Sequence, residues 1–215
     1  MARVTYVKSA KGRKDGRNRT CVKCGTEIKP GDSYKWFASR IGTYSQRKNF
    51  CSNCPVRPSD QTTSPHLQTI YLAQETAEDA LAQGEGLGLI DLAEIVRGFG
   101  EGVREASESY NESADNIEEG FGHETTQSEE IRDKANECES AADTLDSAAD
   151  DIESMDDPDA EEDEFLNEYE GSVYDETGKP TDPEDFADWL EEKRQERREA
   201  AIDAANDAIA EGPQL

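Results

Sequence analysis

The pattern of apolar and polar positions changes near residue 60. Residues 33–37 and 43–50 are short aromatic-rich runs on either side of Gly42, a pattern that is typical of a β-hairpin. Beyond residue 60, apolar residues recur every three or four positions within long acidic segments, which is the spacing of amphipathic helices. We therefore expect a small β-hairpin module followed by a mainly α-helical region.

The helical region divides at its glycines, prolines and capping residues. A serine-proline pair starts a helix over residues 64–83, which is expected to cap the hairpin module. A glycine-rich hinge and the start of the next helix occupy residues 84–100. Residues 101–154 predict an acidic antiparallel helical hairpin of the coiled-coil type, with helices over residues 101–119 and 126–154.

Apolar positions in the second helix of this hairpin alternate in steps of four and three, as in the seam of a coiled coil. The seam consists of Ile131, Ala135, Cys138, Ala142, Leu145, Ala149 and Ile152. A matching stripe of the first helix consists of Val103, Ala106, Tyr110, Ala114, Ile117 and Phe121. An alanine-rich seam buries little area, so we expect a further helix or a second copy of the chain to cover it.

The C-terminal part begins with a run of acidic residues. Residues 155–164 are expected to form an acidic flexible linker, and residues 165–215 a turn element followed by a helix that begins near Pro183. Trp189 of this helix is expected to pack against the hairpin or a partner. The residues predicted to form such an interface are Ile131, Cys138, Leu145, Ile152 and Trp189.

The two parts of the chain differ in charge. Residues 1–60 carry 14 Lys and Arg against 4 Asp and Glu, whereas the remainder carries 9 against 46, which gives the net charge of -27. A basic segment, with residues 1–20 as a flexible arm, is typical of nucleic-acid binding. The candidate nucleic-acid-binding residues, which alternate with aromatic residues, are Arg13, Lys14, Arg17, Arg19, Lys23, Lys35, Arg40, Arg47 and Lys48. Two alternatives stay open: the aromatic residues form only a small core, or the module binds protein.

Four of the five cysteines form two Cys-x-x-Cys pairs, with 26 residues between the pairs. Two such turns place four thiolates around one tetrahedral ion, which is a closed shell that suits structural zinc. We therefore expect one zinc ion in a zinc-knuckle module over residues 21–58. Its ligands would be Cys21, Cys24, Cys51 and Cys54. The alternatives are disulfides, a redox motif or an iron site.

The run CVKCGTEIKPGDSYKWF, with CSNCPVRPSD after it, resembles the zinc-knuckle segment of small bacteriophage and viral accessory proteins of unknown function. The later stretch SYNESADNIEEGFGHETTQSEEI is similar to the helical portion of the same proteins. The resemblance extends over half of the chain. It implies a viral, non-enzymatic accessory protein.

The acidic helices allow two further interpretations. Residues 135–178 contain 18 Asp and Glu and no Lys or Arg. Seven of these acids lie within residues 135–154, about one charge per 4 Å of helix, and a second acidic helix alongside brings the spacing near the ~1.7 Å per charge of duplex DNA. One alternative is an acidic DNA mimic that inhibits a host DNA-binding protein, and the other is a virion or assembly scaffold. An ordinary solvated helical surface explains the same acids more simply.

No pattern of catalytic residues is recognisable in the sequence. Neither His66 nor His123 belongs to a recognisable pattern with a thiol or hydroxyl nucleophile, and a four-sulfur zinc site has no open position for a substrate. No window is apolar enough for a membrane span or a signal peptide, so a cytoplasmic protein is expected. The leading hypothesis is a non-enzymatic zinc-binding adaptor, whose basic module contacts nucleic acid or a nucleic-acid enzyme and whose acidic helices bind protein.

Overall fold

The chain divides into two units near residue 75. The computed structural model describes residues 3–12, 18–41, 44–84, 86–165, 169 and 183–213. The units are Met1–Glu75, called the basic unit, and Thr76–Leu215, called the acidic unit. The basic unit carries 14 Lys and Arg against 5 Asp and Glu, and the acidic unit carries 9 against 45.

The basic unit contains two antiparallel sheets. Its strands are β1 (Thr5–Val7), β2 (Arg19–Thr20), β3 (Glu27–Ile28), β4 (Tyr34–Ile41) and β5 (Tyr44–Cys51). The larger sheet has the order β1-β4-β5, and β2 pairs with β3. The expected order of a small antiparallel sheet followed mainly by helices is confirmed. Because β1 and β2 lie within residues 1–20, that segment is not wholly the flexible arm that the sequence predicts.

Side chains of the larger sheet alternate between its two faces, and each face covers a small core. Tyr34 packs with aliphatic residues on one face, and Phe37 stacks on Phe50 on the other, with ring centroids 5.7 Å apart. Cys21 is buried against this aromatic pair. Cores of this size bury little apolar surface, so a module this short gains from a further constraint such as a bound metal.

Helices α1 (Pro58–Gln61) and α2 (Pro65–Gln83) follow the sheet. The second of them occupies the segment in which the capping helix is expected. Glu75 of α2 is only 7% exposed and accepts hydrogen bonds from the backbone N–H and the hydroxyl of Ser59, at 3.0 and 2.8 Å. This buried contact ties the first half of α2 to α1.

Helix α3 (Leu89–Phe121) begins within residues 84–100, where the sequence predicts a glycine-rich hinge and the start of the next helix. At its N-terminus the N–H of Gly88 donates to the carboxylate of Asp91 at 3.0 Å. Phe99 of this helix is fully buried. The helix start that the sequence predicts within residues 84–100 therefore lies at Leu89, and apolar side chains that pack in a core outweigh the low helix propensity of glycine.

Helix α4 (Thr126–Glu153) packs antiparallel to α3. Arg97 near the start of α3 lies 2.6 Å from Asp150 near the end of α4. Arg132 near the start of α4 lies 2.9 Å from Glu118 near the end of α3. These ion pairs at opposite ends show that the two helices lie side by side over most of their length.

The contact between α3 and α4 uses most of the predicted apolar positions. On α4 the buried seam positions are Ala135, Cys138, Ala142, Leu145, Ala149 and Ile152, and Ile131 is half-buried. On α3 the buried stripe positions are Val103, Ala106, Tyr110 and Ala114. Phe121 is 67% exposed, so the prediction that it belongs to this stripe is wrong. Its helix ends there, and Gly122 turns the chain in the left-handed conformation.

Helix α6 (Pro183–Ala210) packs on both α3 and α4. Its buried residues include Ala201, Ala205 and Ile209. The covering helix that the alanine-rich seam is expected to need is thus supplied by the same chain.

Among the described residues, no helix combines the length and the apolar character that a membrane span requires.

Trp189 of α6 lies in an aromatic cluster and not on the seam between α3 and α4. Its ring centroid lies 6.0 Å from that of Phe186 and 5.0 Å from that of Tyr169. Buried Phe165, at the end of α5 (Glu162–Phe165), belongs to the same cluster. The expectation that Trp189 packs against the helical hairpin is corrected accordingly.

The acidic segment over residues 155–164 is docked on α6. Arg197 donates to the carbonyl oxygen of Asp157 at 3.0 Å, and its guanidinium carbon lies 4.2 Å from the ring centroid of Phe165. Arg198 forms an ion pair with Asp159. The prediction of a flexible linker is therefore wrong, because the cations that hold this segment lie about 40 residues further along the chain.

Candidate metal centre

The first cysteine pair lies in the turn between β2 and β3. The N–H of Gly25 donates to the carbonyl oxygen of Cys21 at 3.0 Å, and the N–H of Cys21 donates to that of Thr26 at 2.9 Å. Gly25 has a φ of 72°, a left-handed conformation in which a side chain would be strained. This tight turn brings Cys21 and Cys24 together.

The second cysteine pair begins at the last residue of β5. The loop from Cys51 to Cys54 is held from the neighbouring strand, since the ammonium of Lys35 donates to the carbonyl oxygen of Cys54 at 3.0 Å. The N–H of Val22 in the first turn donates to the carbonyl oxygen of Asn49 in β5 at 2.9 Å. Backbone contacts thus join the two cysteine turns.

The four sulfur atoms of these turns converge. The Sγ atoms of Cys21, Cys24, Cys51 and Cys54 all lie within 4.8 Å of one another, and those of Cys24 and Cys51 are 3.7 Å apart. Zinc–sulfur bonds of about 2.3 Å at tetrahedral angles separate the sulfurs by about 3.8 Å. All five cysteines are free thiols. This is the one group of side chains in the described part of the chain that is arranged to hold a metal ion.

Hydrogen bonds shift the pKa values of Cys24 and Cys54 in opposite directions. The hydroxyl and the backbone of Thr26 lower the pKa of Cys24 to about 6, so this sulfur is a thiolate at neutral pH. Hydrogen bonds to Cys51 and Cys24, which keep the proton on the Cys54 sulfur, raise the pKa of Cys54 to about 12. A bound dication favours the deprotonated form of each thiol, so it lets all four sulfurs carry negative charge.

The exposure of the four cysteines differs. Cys21 is buried against Phe37 and Phe50, whereas Cys24 is exposed. An ion held by four protein sulfurs has no open coordination position for a substrate or a reactive water. The arrangement is therefore suited to stabilising the fold of the basic unit and not to metal-assisted catalysis.

Three of the candidate nucleic-acid-binding lysines make structural contacts inside the basic unit. Lys35 donates to the carbonyl oxygen of Cys54, and Lys48 donates to that of Asp60 at 2.9 Å. Lys23 lies 3.8 Å from the carboxylate of Asp60. These lysines hold the second cysteine turn and α1. Their hydrogen-bond acceptors, mainly backbone carbonyls, leave no signal in the sequence.

Two candidate arginines lie against aromatic rings of the sheet instead. The guanidinium carbon of Arg47 lies 3.7 Å from the ring centroid of Trp36, and that of Arg19 lies 5.3 Å from the ring centroid of Tyr34. The structure thus brings together cations and aromatic rings as the sequence predicts. The candidates Arg13, Lys14, Arg17 and the side chain of Arg40 lie outside the described residues.

The residues predicted as an interface lie mainly inside the acidic unit. Cys138, Leu145 and Ile152 are buried in its helical core. Burial, with smaller contributions from Glu137 and Glu139, raises the pKa of Cys138 to about 11. These side chains therefore pack within the chain and do not form a surface for a partner.

Comparisons of the chain with models of protein families, with curated proteins and with solved structures gave no match.

Proposed function

We propose that this chain is a non-enzymatic adaptor with a zinc-stabilised, nucleic-acid-binding basic unit and an acidic unit that contacts protein. The observation that carries the proposal is the convergence of four cysteine sulfurs within 4.8 Å in a unit with 14 Lys and Arg against 5 Asp and Glu. A positively charged unit attracts the phosphates of nucleic acid.

Zinc is the ion that the ligand set favours. Four thiolates form a soft, tetrahedral shell, and zinc binds such shells without redox chemistry. The two cores of the sheet are small and stabilise it weakly, so a bound ion would add to the stability of the basic unit. The reason is that the binding energy at such a site is also folding energy. The free thiols that this requires fit a reducing compartment such as the cytoplasm of a host cell.

The DNA-mimic alternative is disfavoured by arginines placed among the acids of α3 and α4. Arg97 lies between Asp150 and Glu153, and Arg104 lies 2.8 Å from the carboxylate of Asp146. Arg132 in turn lies near Asp115 and Glu118. These cations interrupt the rows of negative charge, whereas the phosphates of duplex DNA form continuous rows. We therefore assign nucleic-acid binding to the basic unit and protein contact to the acidic unit.

The test is nucleic-acid binding by the full chain before and after metal removal. Fluorescence anisotropy with labelled oligonucleotides should show binding at about 50 mM salt and a steep loss of affinity by about 200 mM. Chelation of the metal, or Cys51→Ser, should abolish binding because the basic unit loses its fold.

A matched control is Cys138→Ser, which changes the one cysteine outside the cluster and should leave binding unchanged. Full-length, metal-loaded protein that binds no oligonucleotide at about 50 mM salt would contradict the nucleic-acid part of the proposal. Unchanged binding after complete metal removal would contradict the role assigned to the ion.

A further inference from the structure

Two arginines meet around one tyrosine on a single face of the larger sheet. The guanidinium carbons of Arg19 and Arg47 lie 5.3 and 5.8 Å from the ring centroid of Tyr34. Arg47 also donates to the Tyr34 hydroxyl at 2.7 Å and lies 3.7 Å from the ring centroid of Trp36. We call these four residues the arginine–aromatic face.

The register of the sheet explains this grouping. Tyr34 and Trp36 are two residues apart on β4, so their side chains share a face. Arg47 pairs with Ala38, two residues further along β4, and therefore lies on the same face and diagonally opposite Trp36. Lys48 pairs with Phe37 on the opposite face, where it is bonded to Asp60. The cations of β5 are thus divided between two faces with different contacts.

Both guanidinium groups keep hydrogen-bonding capacity for a ligand. Arg19 uses one N–H on the carbonyl oxygen of Lys11, and Arg47 uses one on the Tyr34 hydroxyl. A guanidinium has five N–H donors. Among the residues that the structure describes, neither arginine forms an ion pair with a carboxylate.

We propose that the arginine–aromatic face binds single-stranded nucleic acid, an inference that rests on the function proposed above. Arg19 and Arg47 would bind backbone phosphates, and an unpaired base would stack on the exposed guanidinium of Arg47 beside Trp36. The aromatic contacts fix the guanidinium orientation in advance, so little side-chain entropy is lost on binding. A duplex keeps its bases stacked internally and offers only phosphates, so it should bind more weakly.

The experiment compares single-stranded and duplex oligonucleotides on full-length, zinc-loaded protein. Oligo(dT), oligo(U) and a duplex of the same length are titrated by fluorescence anisotropy, and the two single strands report whether sugar type matters. In a Trp189→Phe background, the remaining tryptophan, Trp36, should change its fluorescence when a single strand binds. Both single strands should bind more tightly than the duplex.

Three variants separate stacking from charge. Arg47→Ala should weaken oligo(dT) binding about tenfold or more and reduce the salt slope by about one. Arg47→Lys should retain the salt slope but still lose affinity, because an ammonium cannot stack as a planar group does. Lys29→Ala removes one exposed positive charge elsewhere in the basic unit and should weaken binding less than about threefold. Zinc content and thermal unfolding show that each variant is folded.

The outcomes distinguish this inference from the function on which it rests. If folded Arg47→Ala and Lys29→Ala bind equally well, or if the duplex binds more tightly than either single strand, the arginine–aromatic face is not the site. If the unmodified protein binds no nucleic acid at all, the proposed function itself fails.

Discussion

Leu145→Asp tests whether α3, α4 and α6 form one core. Leu145 is only 3% exposed, and a Cβ built on Gly100 of α3 would lie 3.4 Å from its Cβ, so the helices approach closely at this point. Removing a buried leucine side chain costs about 2–5 kcal/mol, and a buried carboxylate adds a desolvation penalty. We therefore expect Leu145→Asp to lower the free energy of unfolding by at least about 4 kcal/mol, whereas the total for a native protein is typically about 5–15 kcal/mol.

Circular dichroism of the full chain measures this loss. Because about 1 kcal/mol lowers the Tm of a domain of this size by about 2–4 °C, Leu145→Asp should lower the Tm of the helical signal by at least about 8 °C. The matched control is Ser147→Asp, which adds the same charge at an exposed position of α4 and should cost less than about 1 kcal/mol. Asp146 is unsuitable as a control because it is paired with Arg104. Equal melting temperatures for the two variants would refute the packing described for α4.

Three further predictions concern single contacts. Glu75→Ala leaves the N–H and hydroxyl of Ser59 without their acceptor, so thermal melting should show a free energy of unfolding that is lower by about 1–3 kcal/mol. The control Glu78→Ala, at an exposed position of α2, should lower it by less than about 0.5 kcal/mol. Arg197→Ala should speed hydrogen exchange in residues 156–165 about five- to thirtyfold, and Gln195→Ala should not. Burial raises the pKa of Cys138 to about 11, so its thiol in the native, zinc-loaded protein should resist maleimide at pH 8. The same thiol should react after unfolding. Rapid labelling of Cys138 in the native protein would contradict its place in the core.

Local spacing made the cysteine cluster and the seam of α4 predictable. Two Cys-x-x-Cys turns in one small module are typical of four thiolates around one metal ion. A repeat of four and three residues places side chains on one stripe of a helix, whatever that stripe contacts. The same reasoning failed at the ends of the stripe. Phe121 continues the repeat in sequence, but the helix ends there and the side chain is exposed.

The sequence could not predict contacts between distant segments. The acids over residues 155–164 resemble a solvated linker, and their partners Arg197 and Arg198 are about 40 residues away. Lys48 resembles a free surface cation, yet it donates to the backbone carbonyl oxygen of Asp60. The amino-acid composition shows how many charged side chains there are, but not which group each of them contacts in the fold.

The cysteine cluster is the feature on which the proposed function depends most, and metal analysis tests this cluster most directly. Native mass spectrometry of the full-length protein, with elemental analysis, should find about one zinc ion per chain. Cys24→Ser and Cys51→Ser should lower the bound zinc and unfold the basic unit, whereas Cys138→Ser should retain the ion. Metal-free protein in which the β4–β5 hairpin remains folded, as judged by hydrogen exchange, would contradict the account.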